Sequence, residues 1–279
     1  MTVLGNSIWG AMGNSDGIEA AFWSAICGRT PQWGNHIKEN RAGTHLVKVE
    51  SSINSQLEWN LLGKAIGMQL PSGSIPVVTG NFTHVNFNKL RSFCTMIAIS
   101  SNCELCHLVG ITPEARTVED AFQGRKPTAG VVVNDQIMTD AFDSVCDKGD
   151  NQIDFVSLGC PHYDIDQIRR AAMAIQGKKV HKNVHFMVWT VYPIKCMADE
   201  NGYTKIIEDA GGHLYTSSCP STMGEIFLNQ YRGFVLDSLK MAGALKSEVN
   251  GRVYLGDVED CIDAAINGRW EEKKKWTKK

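Results

Sequence analysis

The sequence predicts an α/β fold of mainly parallel sheets flanked by helices. Short β-branched runs alternate along it with stretches of helical period, a pattern that lays helices over parallel strands. Its 279 residues, 43% hydrophobic and 21% charged, have an ordinary globular balance. A chain this long buries roughly three quarters of the surface its unfolded form exposes, so a core needs no disulfide or metal staple.

In the first half, Ile18 to Cys27 follows the cap candidates Ser15 and Asp16 and reads as a helix ending at Gly28. Strands are expected at His45 to Glu50 and Ile75 to Thr79, with the helical stretch Gln56 to Leu70 between them. A helix at Asn88 to Ile99, a strand at Leu105 to Val109, a short helix after Thr117 and a strand at Gly130 to Val133 follow. In the second half, strands are expected at Ile153 to Leu158, Val184 to Val191, His213 to Thr216, Phe234 to Leu236 and Arg252 to Leu255. Helices are expected at Asp164 to Gln176, at Tyr203 to Asp209 before Gly211 and Gly212, from about Ser238, and at Val258 to Trp270. The expected organisation is an α/β region at 1–148, a βα-repeat domain at 149–270 and a basic tail at 271–279 that reads as a solvated end.

Charge narrows the function classes. The 28 Lys and Arg against 30 Asp and Glu leave a net charge of −2, which argues against a partner held by a basic field, nucleic acid included. No apolar run approaches the roughly 18 residues of a membrane span, and Met1 to Cys27 lacks the charged and apolar regions of a signal peptide. Nine cysteines, an odd number in a large chain, read as thiols in a reducing compartment, so a cytoplasmic location is expected.

Two segments share a layout of apolar strand, small-residue turn and Cys-Pro: Phe155-Val-Ser-Leu-Gly-Cys160-Pro161-His162 and Leu214-Tyr-Thr-Ser-Ser-Cys219-Pro220. Proline suits a first helical turn, so each Cys is expected near a helix N-cap at the carboxyl end of its strand. In a parallel sheet those ends line one crevice, and a helix dipole there favours the thiolate that ligates metal or attacks a substrate. Each thiol reads equally as a buried small hydrophobe. Cys103-Glu-Leu-Cys106-His107 fits a short haem-attachment pattern, although a strand there would turn Cys103 and Cys106 to opposite faces; two packed thiols are preferred over haem or zinc.

Three polar clusters complete the candidates. Arg41, in the loop His36 to Arg41, is able to grip a carboxylate or phosphate through two hydrogen bonds, or to form a surface ion pair. Glu114, in Gly110-Ile-Thr112-Pro113-Glu114-Ala115, follows a strand and is aimed at the crevice or sits in an ordinary turn. Asp237-Ser238-Leu-Lys240 opens a helix and offers a hydroxyl, amide donors and an ammonium to an anion, unless Ser238 is only a cap.

In order along the chain, these segments resemble the large subunit of the aconitase X, or phosphomevalonate dehydratase-like, family. The matching strings are Asn6-Ser7-Ile-Trp-Gly10-Ala11, Gly28-Arg29-Thr30-Pro31, Glu39-Asn40-Arg41, His107-Leu-Val-Gly110-Ile-Thr112-Pro113-Glu114-Ala115, Leu158-Gly159-Cys160-Pro161-His162, Ser218-Cys219-Pro220, Asp237-Ser238-Leu-Lys240 and the closing Gly256 to Ala265. The resemblance implies a hydro-lyase that dehydrates a small hydroxy acid such as cis-3-hydroxy-L-proline or mevalonate 5-phosphate. It implies an iron–sulfur cluster or mononuclear iron acting as Lewis acid on the leaving hydroxyl. Carried over by position, Cys160 and Cys219 are metal ligands, Ser238, Lys240 and His162 are catalytic, and Asn6, Ser7, Arg41, His107, Thr112 and Glu114 surround the substrate.

The departures set further expectations. The family's first cysteine ligand lies upstream of the Asn-Ser segment, so the resemblance covers roughly the last two thirds of a large subunit. The third ligand is then expected from another chain or from Cys27, Cys103 or Cys106. A small swivelling-domain subunit, whose serine serves as base, is an expected partner. Met12-Gly13-Asn14-Ser15 replaces the family's Arg-Thr-Asn-Arg. The rival readings are a non-catalytic remnant or stabilising subunit of such a complex and, more weakly, a redox or haem protein using Cys103, Cys106 and His107.

Overall fold

The computed structural model describes residues 2–271, and the rest of the basic tail lies outside the described residues. The chain is α/β, with two all-parallel sheets, each in its own compact unit: Met1–Met138 and Thr139–Lys279. No described helix is long and apolar enough to cross a membrane.

The first unit runs α1 (Thr2–Trp9), α2 (Ile18–Cys27), β1 (His45–Val49), α3 (Gln56–Gln69), β2 (Pro76–Thr79), α4 (Phe87–Ser101), β3 (His107–Leu108), α5 (Val118–Phe122) and β4 (Ala129–Val133), in sheet order β3-β2-β1-β4. α3 starts where Ser55 accepts from the Glu58 amide and Glu58 reaches back to the Ser55 amide, a capping box. Its buried face meets α4 closely because Gly63 has no side chain: a Cβ there would stand 2.6 Å from the Phe93 carbonyl oxygen. Helix α6 (Asp135–Asp143) runs through the boundary between the units.

The second unit continues with β5 (Phe155–Tyr163), α7 (Ile165–Ile175), β6 (His185–Thr190), α8 (Tyr192–Glu200), α9 (Tyr203–Asp209), β7 (Gly212–Thr216), α10 (Glu225–Leu228), β8 (Gly233–Leu236), α11 (Leu239–Glu248), β9 (Arg252–Leu255) and α12 (Val258–Asn267). Phe155, Val156, Phe186, Val188, Phe234, Val235, Val253 and Leu255 are all fully buried. Helices cover both faces of such a sheet, which is why its strands read as continuous apolar runs rather than as alternation. The strand order β7-β6-β5-β8-β9 reverses direction between β5 and β8. Open parallel sheets bind ligands beyond the carboxyl ends of their strands at that reversal.

Four helices carry no sequence expectation: α1, α6, α8 and α10. α8 begins at Tyr192-Pro193, with proline in its first turn, directly beyond a strand expected to run to Val191. The expected strand at Leu105 to Val109 shortens to His107–Leu108, and Cys103 and Cys106 stand before it rather than on opposite faces of it. The last helix stops at Asn267 because Gly268 takes the left-handed conformation that ends helices.

Candidate functional site

β5 carries Cys160 to the reversal of the second sheet. The strand runs through Cys160-Pro161-His162 to Tyr163, and α7 starts only after its cap Asp164, so Cys160 does not stand at a helix N-cap as expected. Gly159 makes this path possible. Its φ is +100°, and a Cβ would lie 2.3 Å from the Trp189 carbonyl oxygen of β6, so no other residue fits without moving backbone. Cys219 does cap a turn, the 3-10 segment Pro220–Thr222 with proline at its first position. His162 Nε2 donates to the Ser218 carbonyl at 2.7 Å and ties the end of β5 to the loop that holds Cys219.

These segments enclose a cavity of about 540 Å³ lined by Cys160, His162, Cys219, Ser221, Lys240 and Met241 among others. Burial pushes the Cys160 thiol up; a hydrogen bond from Ser238 and the charge of Lys240 pull it down. The expected dipole-favoured thiolate is therefore corrected at Cys160: desolvation is the largest effect on it. Ser238 caps α11, accepting from the Met241 amide, and also reaches Cys160, so its hydroxyl serves the helix and the site together.

Asp237 lies behind this cavity. Its carboxylate accepts from the Tyr163 hydroxyl at 2.5 Å and from the Gly159 amide at 3.3 Å. Burial pushes its carboxyl up to about 6 against these hydrogen bonds. An acid raised above its unfolded value of about 3.9 contributes stability in its protonated form, fully present below about pH 4 and lost as pH rises through about 6. In the metal-free chain, Asp237→Asn therefore gains stability relative to wild type between pH 4.5 and 7, read by urea denaturation; parallel curves would contradict it. Tyr163 directly follows the Cys-Pro-His string and carried no sequence signal beyond that adjacency.

A larger cavity, of about 730 Å³, opens at the opposite, amino-terminal edge of the same sheet between Asp154, Tyr231, Arg232, Arg252 and Arg269. It holds neither thiol nor Lys240, so the chemistry-bearing groups favour the smaller one.

The first unit gathers the remaining candidates into a hydrogen-bonded network. Arg41 is 1% exposed, and its guanidinium binds Glu114 through Nε, 3.0 Å from each carboxylate oxygen, and through Nη2. The carboxylate it grips is thus the chain's own, an ion pair buried on the arginine side. His107 Nε2 donates to the Arg41 carbonyl at 2.7 Å, while its Nδ1 is buried without a partner. Burial lowers the pKa of this ring, so the neutral form is favoured. Asn6 bridges Gly13 and the Glu104 carbonyl, Ser7 accepts from the Cys106 amide, and Thr112 accepts from the Leu108 amide and donates to the Cys106 carbonyl. Asn6, Ser7 and Thr112 hold loops through these hydrogen bonds.

Cys103 and Cys106 are buried beside Cys94. Burial drives the Cys94 and Cys103 thiols up to about 12 and Cys106 well above its ordinary value, and neighbouring thiols add to the rise at Cys94 and Cys106. They are closed-off, packed thiols, the arrangement expected here in preference to haem or zinc, while Cys27 is exposed at the end of α2. Among the described residues no three His, Cys, Asp or Glu side chains are arranged to hold a metal ion, so Cys160 and Cys219 stand as a pair.

The chain is similar to several characterised proteins. It is 27% identical to a cis-3-hydroxy-L-proline dehydratase from Pseudomonas aeruginosa, over 96% of this chain and 46% of that protein. It is 29% identical to a phosphomevalonate dehydratase large subunit from Methanocaldococcus jannaschii, over 92% of this chain and 63% of that protein. The crystal structure of Thermococcus kodakaraensis aconitase X in its holo-form superposes with a TM-score of 0.80 at 28% identity, covering 95% of this chain and 66% of that one. The chain thus spans about half to two thirds of the length of these relatives. Residues 43–143 match the aconitase X second domain and residues 153–267 the aconitase X third domain. With two of its domain models matched in order over most of the sequence, the chain belongs to the aconitase X family.

Proposed function

We propose that the chain is the large-subunit part of an iron-dependent hydro-lyase acting on a small hydroxy acid. One observation carries the reading: Cys160 and Cys219, from separate strand ends, line a single cavity that also holds Lys240 and His162. Two soft sulfur donors at one cavity fit two ligand positions of iron or of an iron–sulfur cluster. The described residues offer no third, so the remaining position is filled from outside them.

Iron held there supplies Lewis-acid polarisation of the leaving hydroxyl. The chain's own groups do the rest. Lys240 provides a positive charge for the substrate carboxylate in the same cavity. Ser238, bonded to Cys160, steadies that sulfur against the α11 N-terminus. His162 donates through Nε2 to Ser218, which leaves the Nδ1 lone pair for a proton in transit. Removal of the proton next to the carboxylate falls to a base on the small swivelling subunit. With all nine cysteines free, the reading includes a reducing, cytoplasmic setting.

The test is an anaerobic assay of the chain, loaded with iron and sulfide and mixed with its small subunit, on cis-3-hydroxy-L-proline and on mevalonate 5-phosphate. Loss of one water from either substrate, followed by mass spectrometry, is the expected result. The incomplete thiol pair favours a second reading, a stabilising subunit without turnover, and loss of water from neither substrate would select it.

A further inference from the structure

α2 is bare among the described residues. Of its ten residues only Glu19 and Ser24 are polar, yet none is buried. Ile18, Phe22, Trp23 and Ile26 are 88%, 58%, 59% and 60% exposed. Phe22 and Trp23 pack edge to face, with ring centroids 5.5 Å apart, and form one aromatic patch. Isolated helices shorter than about 12 to 15 residues are marginal in water, and helices in proteins draw their stability from packing an apolar face. α2 has no such packing, and its N-cap, Gly17, supplies no side-chain hydrogen bond. A helix that is apolar nearly all round is normally covered.

We propose that a second copy of this chain covers it, through an antiparallel, two-fold pairing of α2 with itself. Area is the first support. The four large side chains expose on the order of 500 Å², taking aromatic side chains at roughly 150 to 250 Å² when whole. A standard interface buries about 800 Å² per partner, of which about 60% is apolar, so α2 presents the apolar share of one complete face. Charge is the second. A two-fold axis between Phe22 and Trp23 sets Asp16 of one copy opposite Arg29 of the other, and twice over, as such a contact demands. Arg29 is exposed and Asp16 half-buried, and neither takes part in an ion pair among the described residues.

The pairing is independent of the dehydratase reading and is tested without iron or substrate. Sedimentation velocity on the full chain from about 1 to 50 μM is expected to give twice the 30.8 kDa chain mass. Phe22→Glu with Ile26→Glu weakens association by about 30-fold or more, as loss of central anchors does. The unfolding midpoint of the monomer changes little, because no residue of α2 is fully buried within its own chain. Asp16→Arg weakens the dimer, and adding Arg29→Asp restores it. A wild-type chain that stays monomeric at about 50 μM overturns the proposal, as does a dimer undiminished by the glutamate pair. A monomer whose α2 amides gain hydrogen-exchange protection only when the small subunit is added also overturns it and assigns the helix to that subunit.

Discussion

Glu114→Ala is expected to destabilise the first unit by about 3 kcal/mol, the low end of the cost of stranding a buried charge, because Arg41 is buried while Glu114 is 29% exposed. Arg41 is the reason. Its guanidinium is 1% exposed, Nε and Nη2 both end on Glu114, and the Asn35 carbonyl, 3.5 Å from Nη1, is too distant to replace a charge. Replacing both partners together, Arg41→Met with Glu114→Leu, is expected to cost much less, because no buried charge is then stranded. The solvent-screened Arg170–Glu259 bridge, about half exposed on each side, supplies the control: breaking it is expected to have a far smaller effect. Urea denaturation followed by fluorescence reads all three. A Glu114→Ala cost below about 1 kcal/mol would show that water reaches Arg41 and would remove the positioning role given to this pair.

Cys160→Ala and Cys219→Ala are each expected to lower dehydration by the assembled enzyme at least about a thousandfold. Lewis-acid stabilisation of the leaving oxygen amounts to several kcal/mol, and each 1.36 kcal/mol is a factor of ten in rate. Substrate affinity should fall less, since Lys240 stays in the cavity with its charge intact. Cys103→Ala provides the contrast. That thiol is buried beside Cys94 and Cys106, and its loss should act on stability while leaving turnover per folded molecule unchanged.

The parallel sheets were legible because their strands are continuous apolar runs bounded by glycines and caps, a pattern only a doubly covered sheet tolerates. The cavity that joins Cys160 to Cys219 was legible for the same reason: once both are placed at carboxyl ends of parallel strands, topology brings them to one edge. The local setting of Cys160 was not. Cys-Pro reads as a helix start, but Gly159, at a φ of +100° against the Trp189 carbonyl, carries β5 onward through the proline. Arg41 and Glu114 were each legible as site candidates, whereas their pairing across 73 positions depends on tertiary contact that no local window holds. Helices α6 and α8 are not legible in the sequence because strand-like runs at Gly130 to Val133 and Val184 to Val191 lead directly into them.

The central claim is that Cys160 and Cys219 together hold iron, and the direct measurement is anaerobic reconstitution of the chain with iron and sulfide. Bound iron and near-visible absorbance are counted for the wild type and for the Cys160→Ala, Cys219→Ala double variant. Colour and bound iron are expected in the wild type and their loss in the double variant, with Cys103→Ala behaving as wild type. Equal iron and equal absorbance in the double variant would contradict it.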